Sequence, residues 1–93
     1  MAWDKDEILI ILRDPDTGEL DTTLRTVEVY PTTSDYPANK VTCNQLSNLS
    51  TYKPASDLDE NTHYWIRVVR GVVVTETKLP AKNSEPNIGA NPG

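Results

Sequence analysis

The chain has 93 residues, which is enough for one small domain, and its net charge is −5. Residues 1–21 contain seven acidic and two basic residues, so this segment accounts for the whole net charge. The lack of a basic stripe argues against nucleic acid and against an anionic membrane surface as partners, because both select basic proteins.

The chain begins with the acidic sequence MAWDKDE, where a signal peptide would be basic. No apolar run has the length of a transmembrane helix, so we expect no membrane insertion. The chain is therefore either a protein made inside the cell or a domain of a longer chain. A single cysteine, Cys43, permits no internal disulfide. We expect its thiol to be buried, the alternative being a reactive or intermolecular thiol.

Two strands are predicted in the first third of the chain. Residues 7–13 have the continuous apolar sequence EILIILR, which predicts a strand covered on both faces or one that changes sheets midway. The sequence DPDTGE follows, with proline and glycine at positions typical of a tight turn. Residues 21–30 are rich in β-branched residues that alternate with polar ones, and they predict a second strand.

The middle of the chain predicts a loop and two weaker strands. Residues 31–39 contain two prolines and predict the loop. Residues 40–46 and 48–53 predict the strands, and Pro54 limits pairing after the second of them. We expect no helix, because no window shows an apolar stripe of helical period with a cap.

The clearest pattern lies in residues 52–69, YKPASDLDENTHYWIRVV. Its second half alternates, with Tyr64, Ile66 and Val68 on one face, and predicts a half-buried strand over residues 62–69. A leucine, a polar turn and a Thr-x-Tyr entering a strand are typical of a tyrosine corner, here Leu58, Thr62 and Tyr64. We expect the tyrosine ring to be buried and its hydroxyl to bond nearby backbone.

A last strand is predicted over residues 72–78, after either a two-residue hairpin at Arg70-Gly71 or a kink at Gly71. Residues 80–93 are rich in proline, asparagine and glycine and predict an extended or disordered arm. The predicted organisation is therefore a domain of residues 1–79 followed by an arm of residues 80–93.

These residues resemble a known family. The sequence YKPASDLDENTHYWIRVVRGV is similar to the signature half of bacterial Ig-like domains from surface and S-layer proteins. The earlier sequence ILIILRDPDTGELDTTLRTVEVYP is compatible with that family's opening strands, and the corner also resembles that of fibronectin type III domains. The resemblance implies a small antiparallel Ig-like β-sandwich that serves as a spacer or a binding module.

Few residues suggest chemistry. The chain has one histidine, His63, which we expect on the surface, and no phosphate loop, zinc spacing or nucleophile elbow occurs. The turn carries closely spaced carboxylates that form either an ordinary hairpin or a weak calcium site, namely Asp14, Asp16, Glu19 and Asp21.

Exposed aromatic residues offer a second kind of site. Trp65 and Arg67 lie on the strand face opposite Tyr64, and with Tyr52 they form a candidate binding surface. We expect Trp65 to be exposed or to be covered by the C-terminal arm, a neighbouring subunit or a ligand. The matching function is carbohydrate binding, which needs rings that lie in one plane.

The main functional hypothesis is a non-catalytic module of an assembly, without a cofactor. Open sheet edges accept another chain, so the expected partners are protein subunits that contact these edges and the C-terminal arm. A head-decoration or tail protein of a phage, or one repeat of a surface adhesin, would fit, which places the chain at a virion or a cell surface as an oligomer.

Overall fold

A computed structural model describes residues 2–79 and 87–88, and for Ala2, Trp3, Asn87 and Ile88 it describes the backbone alone. Within these ranges one 3-10 helix, Lys5–Glu7, accompanies nine strands. The strands are β1 (Ala2–Trp3), β2 (Ile10–Leu12), β3 (Thr26–Pro31), β4 (Val41–Gln45), β5 (Thr51–Pro54), β6 (Leu58–Asp59), β7 (Tyr64–Arg70), β8 (Val73–Leu79) and β9 (Asn87–Ile88).

The all-β class predicted from the sequence is confirmed as a curled, antiparallel sheet. Its strand order is β8-β7-β3-β4-β5-β2, and β9 adds to β2 in parallel. A separate pair joins β1 to β6. None of the helical residues in the described ranges forms a segment long and apolar enough to cross a membrane.

The sheet changes direction at β4. This strand pairs with β3 through Val41 and Thr42, and with β5 through its later residues, Cys43 to Gln45. Because each half of β4 has one ladder partner, the two parts of the sheet can turn around a common interior. The 3-residue β2 is shorter than the predicted run of residues 7–13, since Glu7 belongs to the 3-10 helix.

The interior is built from alternate residues of the strands. In β7 the buried residues are Tyr64, Ile66 and Val68, as the period of two predicts. The core also contains Ile8, which follows the 3-10 helix, and Leu58 of β6. Its other apolar residues come from the large sheet: Ile10, Leu12, Val27, Val29, Cys43, Tyr52 and Leu79. Removing a Val or Ile side chain of this kind from water contributes about 1.5–3 kcal/mol, so the alternation fixes the register of each strand.

Residues 80–93 were predicted to form an extended or disordered arm, and most of that segment lies outside the described residues. Within it, the backbone of Asn87–Ile88 is described and pairs with Ile11 and Leu12 of β2. This short stretch therefore lies on the chain's own sheet.

The hairpin between β7 and β8 forms one residue later than predicted. Arg70 lies opposite Val73, so the two loop residues are Gly71 and Val72. Gly71 has a φ of 61°, and Val72 does not share this positive φ. A positive φ at the first loop residue is a feature of the primed turns that fit the twist of a two-residue hairpin, and glycine adopts it without steric strain.

We expect Gly71→Ala to lower the free energy of unfolding by about 1 kcal/mol, because an L side chain is strained at this φ. A Cβ at Gly71 would meet nothing within 4 Å, so the loss would measure backbone strain alone. Urea denaturation gives the measurement, and Val72→Ala, at a 98% exposed residue, is the neutral control. Equal midpoints for Gly71→Ala and the parent would contradict this account of the turn.

Candidate functional site

The predicted corner joins β6 to β7. Tyr64 is buried, and its hydroxyl accepts a hydrogen bond of 2.9 Å from the backbone N–H of Asp59. Leu58 is buried beside it in the core, and the half-buried Thr62 donates its N–H to the carbonyl of Asp59 at 3.1 Å. The N–H of Asn61 and the side chain of Thr62 lower the pKa of the exposed Asp59 carboxyl. The corner is thus a structural clamp at the start of β7.

The outer face of β7 carries charged residues and aromatics in register with its neighbours. Arg67 lies between Glu28 of β3 and Glu76 of β8. Trp65 lies between Tyr30 of β3 and Lys78 of β8, whose Nζ is 5.6 Å from the indole ring. Opposite charges therefore face one another across both ladders.

Glu28 is the centre of this face. Only 3% of the residue is exposed, and three side chains donate to its carboxylate. The Tyr36 hydroxyl is 2.7 Å and Arg67 Nη1 is 3.3 Å from Oε1, while Lys40 Nζ is 2.7 Å from Oε2. Burial raises the pKa of Glu28, but the hydrogen bonds from Lys40 and Tyr36 outweigh it and hold the pKa below its ordinary value. The carboxylate is therefore charged at neutral pH and fully paired.

The loop between β3 and β4 covers this outer face. The Tyr36 ring lies 4.1 Å from the guanidinium carbon of Arg67 and meets Tyr30 edge to face, with centroids 5.4 Å apart. The Tyr30 hydroxyl donates to the Glu76 carboxylate, and this bond raises the pKa of Tyr30 to about 12. We expected Trp65 on this face to be exposed or covered by the C-terminal arm, a neighbouring subunit or a ligand. The protein's own loop, which was not among these candidates, covers the part of the face around Arg67 and Tyr30.

The candidate binding surface of Trp65, Arg67 and Tyr52 does not exist as one surface. Tyr52 is fully buried on the inner side, and its hydroxyl accepts from the N–H of Arg25 at 3.0 Å. The prediction for Tyr52 was therefore wrong, because the ring fills the core where β5 meets β2. On the outer face the Tyr30 and Tyr36 rings are inclined by 68°, which is unlike a flat platform for a sugar.

The four carboxylates of the predicted calcium site are used separately. Asp14 Oδ1 accepts from the N–H groups of Asp16 and Thr17, at 2.8 and 3.2 Å, and so stabilises the turn. Glu19 is exposed, and Asp21 is buried elsewhere. Within residues 2–79 and 87–88, no three His, Cys, Asp or Glu side chains are grouped to hold a metal ion. The turn is thus ordinary hairpin chemistry, closed by the Arg13–Leu20 bridge.

Asp21 belongs to a buried ion cluster. Its Oδ2 lies 3.1 Å from Nε of Arg25 and 3.1 Å from Nε of Arg70. Burial raises the pKa of Asp21, but the hydrogen bonds from Arg70 and Arg25 outweigh it, and the pKa is lower than the ordinary value. Arg70 also donates to the carbonyl of Arg13 at 2.8 Å. The cluster therefore ties the first hairpin to the end of β7.

The two residues suited to nucleophilic chemistry lie in different environments. Cys43 is buried, and burial raises the pKa of its thiol to about 12, with the charge of Glu28 adding to the effect. The thiol is therefore protonated at neutral pH and is a poor nucleophile. His63 is exposed, as expected.

Sequence reasoning missed the residues that organise the two ion clusters, which are Glu28, Tyr36, Lys40, Arg25 and Arg70. One signal was present: Glu28 stands between two core valines in a strand rich in β-branched residues. A carboxylate in that position needs donors from elsewhere in the chain. Nothing in the order of residues identifies Tyr36 and Lys40 as those donors.

Comparisons with known proteins returned no family model, no curated protein and no solved structure that matches this chain. The molecule itself shows two buried carboxylates paired with its own cations, and an outer face partly covered by a loop.

We expect Asp21→Asn to lower the free energy of unfolding at pH 7 by about 3 kcal/mol, because Arg70 and Arg25 would lose a buried counter-ion. Glu28→Gln should cost about 2 kcal/mol for the same reason. Both carboxylates have a folded-state pKa below the unfolded value, so their contribution is complete above about pH 4.5. It is lost as the pH falls through the folded pKa.

Urea midpoints at pH 7, 5, 4 and 3 measure both effects. The parent should lose stability below about pH 4.5, and each variant should lose less over the same interval. Asp16→Asn, at an exposed carboxylate, is the matched control. Variants that are as stable as the parent at pH 7, and that lose as much stability as the parent between pH 5 and pH 3, would contradict the role of these clusters.

Proposed function

We propose that the chain is a non-catalytic, Ig-like β-sandwich module that acts through protein contacts in an assembly, such as a phage virion or a surface adhesin. The corner geometry supports the Ig-like part, since the Tyr64 hydroxyl accepts a backbone N–H beside a buried Leu58. The partner change within β4 also supports it, because residues of β2 and β5 share one buried core with residues of β3 and β7.

The observation that carries the proposed function is the exposed edge at β8. In the described ranges β8 ends the sheet on one side, and on the other side the two-residue β9 lies beside β2. The hairpin leading into β8 exposes three consecutive valines, Val72, Val73 and Val74, by 98, 57 and 46%. An edge strand with exposed apolar residues is a template for another chain.

The environments of the buried polar groups favour a function through protein contacts over a catalytic function. Glu28 and Asp21 are each paired with two cations, and the Cys43 thiol is protonated. A catalytic group needs an accessible position and a protonation state matched to its task. These three side chains are buried, and the ion pairs of Glu28 and Asp21 stabilise the sheet.

We expect the full chain to self-associate, with a weight-average mass that rises with concentration in sedimentation experiments. Burial of the β8 edge supplies the driving force through ladder hydrogen bonds and valine contact. NMR relaxation of residues 80–93 gives the control, since an arm that contributes to the contact becomes rigid on association. A monomer at every concentration, with a mobile arm, would contradict the assembly role.

Carbohydrate binding remains the alternative from the sequence, and it has a direct test. Trp65 is half-buried, and the neighbouring tyrosine rings are inclined to one another. We therefore expect tryptophan fluorescence to show no shift with a glycan panel. A shift that Trp65→Ala removes would favour a sugar-binding module instead.

A further inference from the structure

The hairpin geometry determines which backbone groups of β8 face outward. Arg70 and Val73 flank the two-residue loop, so they exchange hydrogen bonds with each other. Because hydrogen-bonded and non-bonded pairs alternate in an antiparallel ladder, Thr75, Thr77 and Leu79 also bond β7. The N–H and C=O groups of Val74, Glu76 and Lys78 then point away from β7.

A hydrogen bond on the other side of β7 supports this assignment of which β8 residues bond β7. The N–H of Thr32 donates to the carbonyl of His63 at 2.9 Å on the β3 side of β7. Residues 63, 65, 67 and 69 therefore bond β3, which leaves residues 64, 66, 68 and 70 for β8. These are the β7 residues opposite Leu79, Thr77, Thr75 and Val73.

Among residues 2–79 and 87–88 no strand pairs with the outer edge of β8, and this edge is short and carries one charge of each sign. Its outward groups are those of three residues, and Pro80 has no N–H to extend the row. The side chains of Glu76 and Lys78 are exposed on the outer face of the sheet, and those of Thr75 and Thr77 lie on the inner side, half-buried. Any strand that adds here must match this spacing.

We infer that the occupant of this edge is a second copy of the chain, whose β8 pairs antiparallel about a two-fold axis at Thr77. The inference rests on the proposed function and names its first contact. In this register Glu76 lies opposite Lys78 of the partner subunit, and Lys78 lies opposite Glu76 of the partner subunit. Both are hydrogen-bonded pairs, so charge and ladder phase agree.

The neighbouring registers lack this agreement. An axis at Glu76 sets two carboxylates directly opposite each other, and an axis at Lys78 does the same with two ammonium groups. An axis at Thr75 sets Val74 opposite a glutamate. Like charges directly opposite destabilise a strand pair, so the charges favour Thr77 among the registers that the outward backbone groups permit.

Cysteine cross-linking tests the register. Thr77 would lie opposite its own copy in a non-hydrogen-bonded pair, with Cα atoms about 4.5 Å apart, which suits a disulfide. Thr75 would lie about 14 Å from its copy, since four residues separate them along the strand. Thr77→Cys should therefore form a covalent dimer under mild oxidation, and Thr75→Cys should not. Cys43 is buried and present in every variant, so the parent chain shows how much cross-linking Cys43 itself gives.

Charge exchange tests the pairing. Glu76→Lys or Lys78→Glu replaces two attractive pairs with two repulsive ones and should raise the dissociation constant of the dimer about tenfold or more. Mixing the two single variants should restore association, because each chain then supplies one sign. Lys78→Glu leaves the bond between Tyr30 and Glu76 in place but removes the contact of Lys78 with the Trp65 ring. The urea midpoint of each variant therefore separates a loss of folding from a loss of association. Glu19→Lys is the exposed control.

Sedimentation of the full chains and amide exchange at Val74, Glu76 and Lys78 decide between the outcomes. Oligomers whose dissociation constant does not change with the charge exchange would overturn the β8 pairing but keep the assembly role. Equal cross-linking at residues 75 and 77 would do the same. Monomers in which these three amides are protected would show that residues 80–93 occupy the edge, and would also overturn the β8 pairing. Monomers with the three amides unprotected would remove both proposals.

Discussion

The structure depends on burying both faces of β7. A chain of 93 residues without a disulfide has little else to hold it together, because a small domain buries a modest fraction of its surface. The inner face of β7 places Tyr64, Ile66 and Val68 in the core. Its outer face is half-buried through Trp65 and Arg67, which pack with charged and aromatic neighbours. Both ladders of β7 are paired, so this strand positions β3 on one side and β8 on the other.

The outer face can be buried only because its charges are paired. Glu28 would be costly in this position without donors, and it receives two from the loop before β4, Tyr36 and Lys40, and one from Arg67 of β7. The same logic holds at the other end of β7, where Asp21 joins Arg25 and Arg70. Such clusters fix how the loops sit on the sheet, because breaking one partner leaves a buried charge. They also pair the carboxylates of Glu28 and Asp21 with the protein's own cations, while Nη1 of Arg70 is buried without a hydrogen-bond partner in the described part of the chain.

The sequence was informative where the period of two and the turn chemistry act locally. The alternation in residues 62–69 predicted the inner face of β7, and Gly71 marked the hairpin to within one residue. Tyr52 was misread because alternation gives two faces without saying which faces the core. Its strand is short and lies next to the equally short β2. The Glu28 cluster joins residues up to 39 positions apart, and such long-range pairing follows from the folded sheet rather than from any local pattern.

The two edges of the sheet differ in a way that bears on function. Proteins commonly protect an edge with another segment, with proline or with charges that repel a neighbour. The β2 edge has β9 beside it, whereas β8 carries exposed valines at its start and charges of opposite sign two residues apart. A pair of like charges at residues 76 and 78 would repel a copy of the same strand about a two-fold axis at residue 76, 77 or 78. One charge of each sign, spaced by two, instead attracts a copy in a single register, so the edge limits association without preventing it.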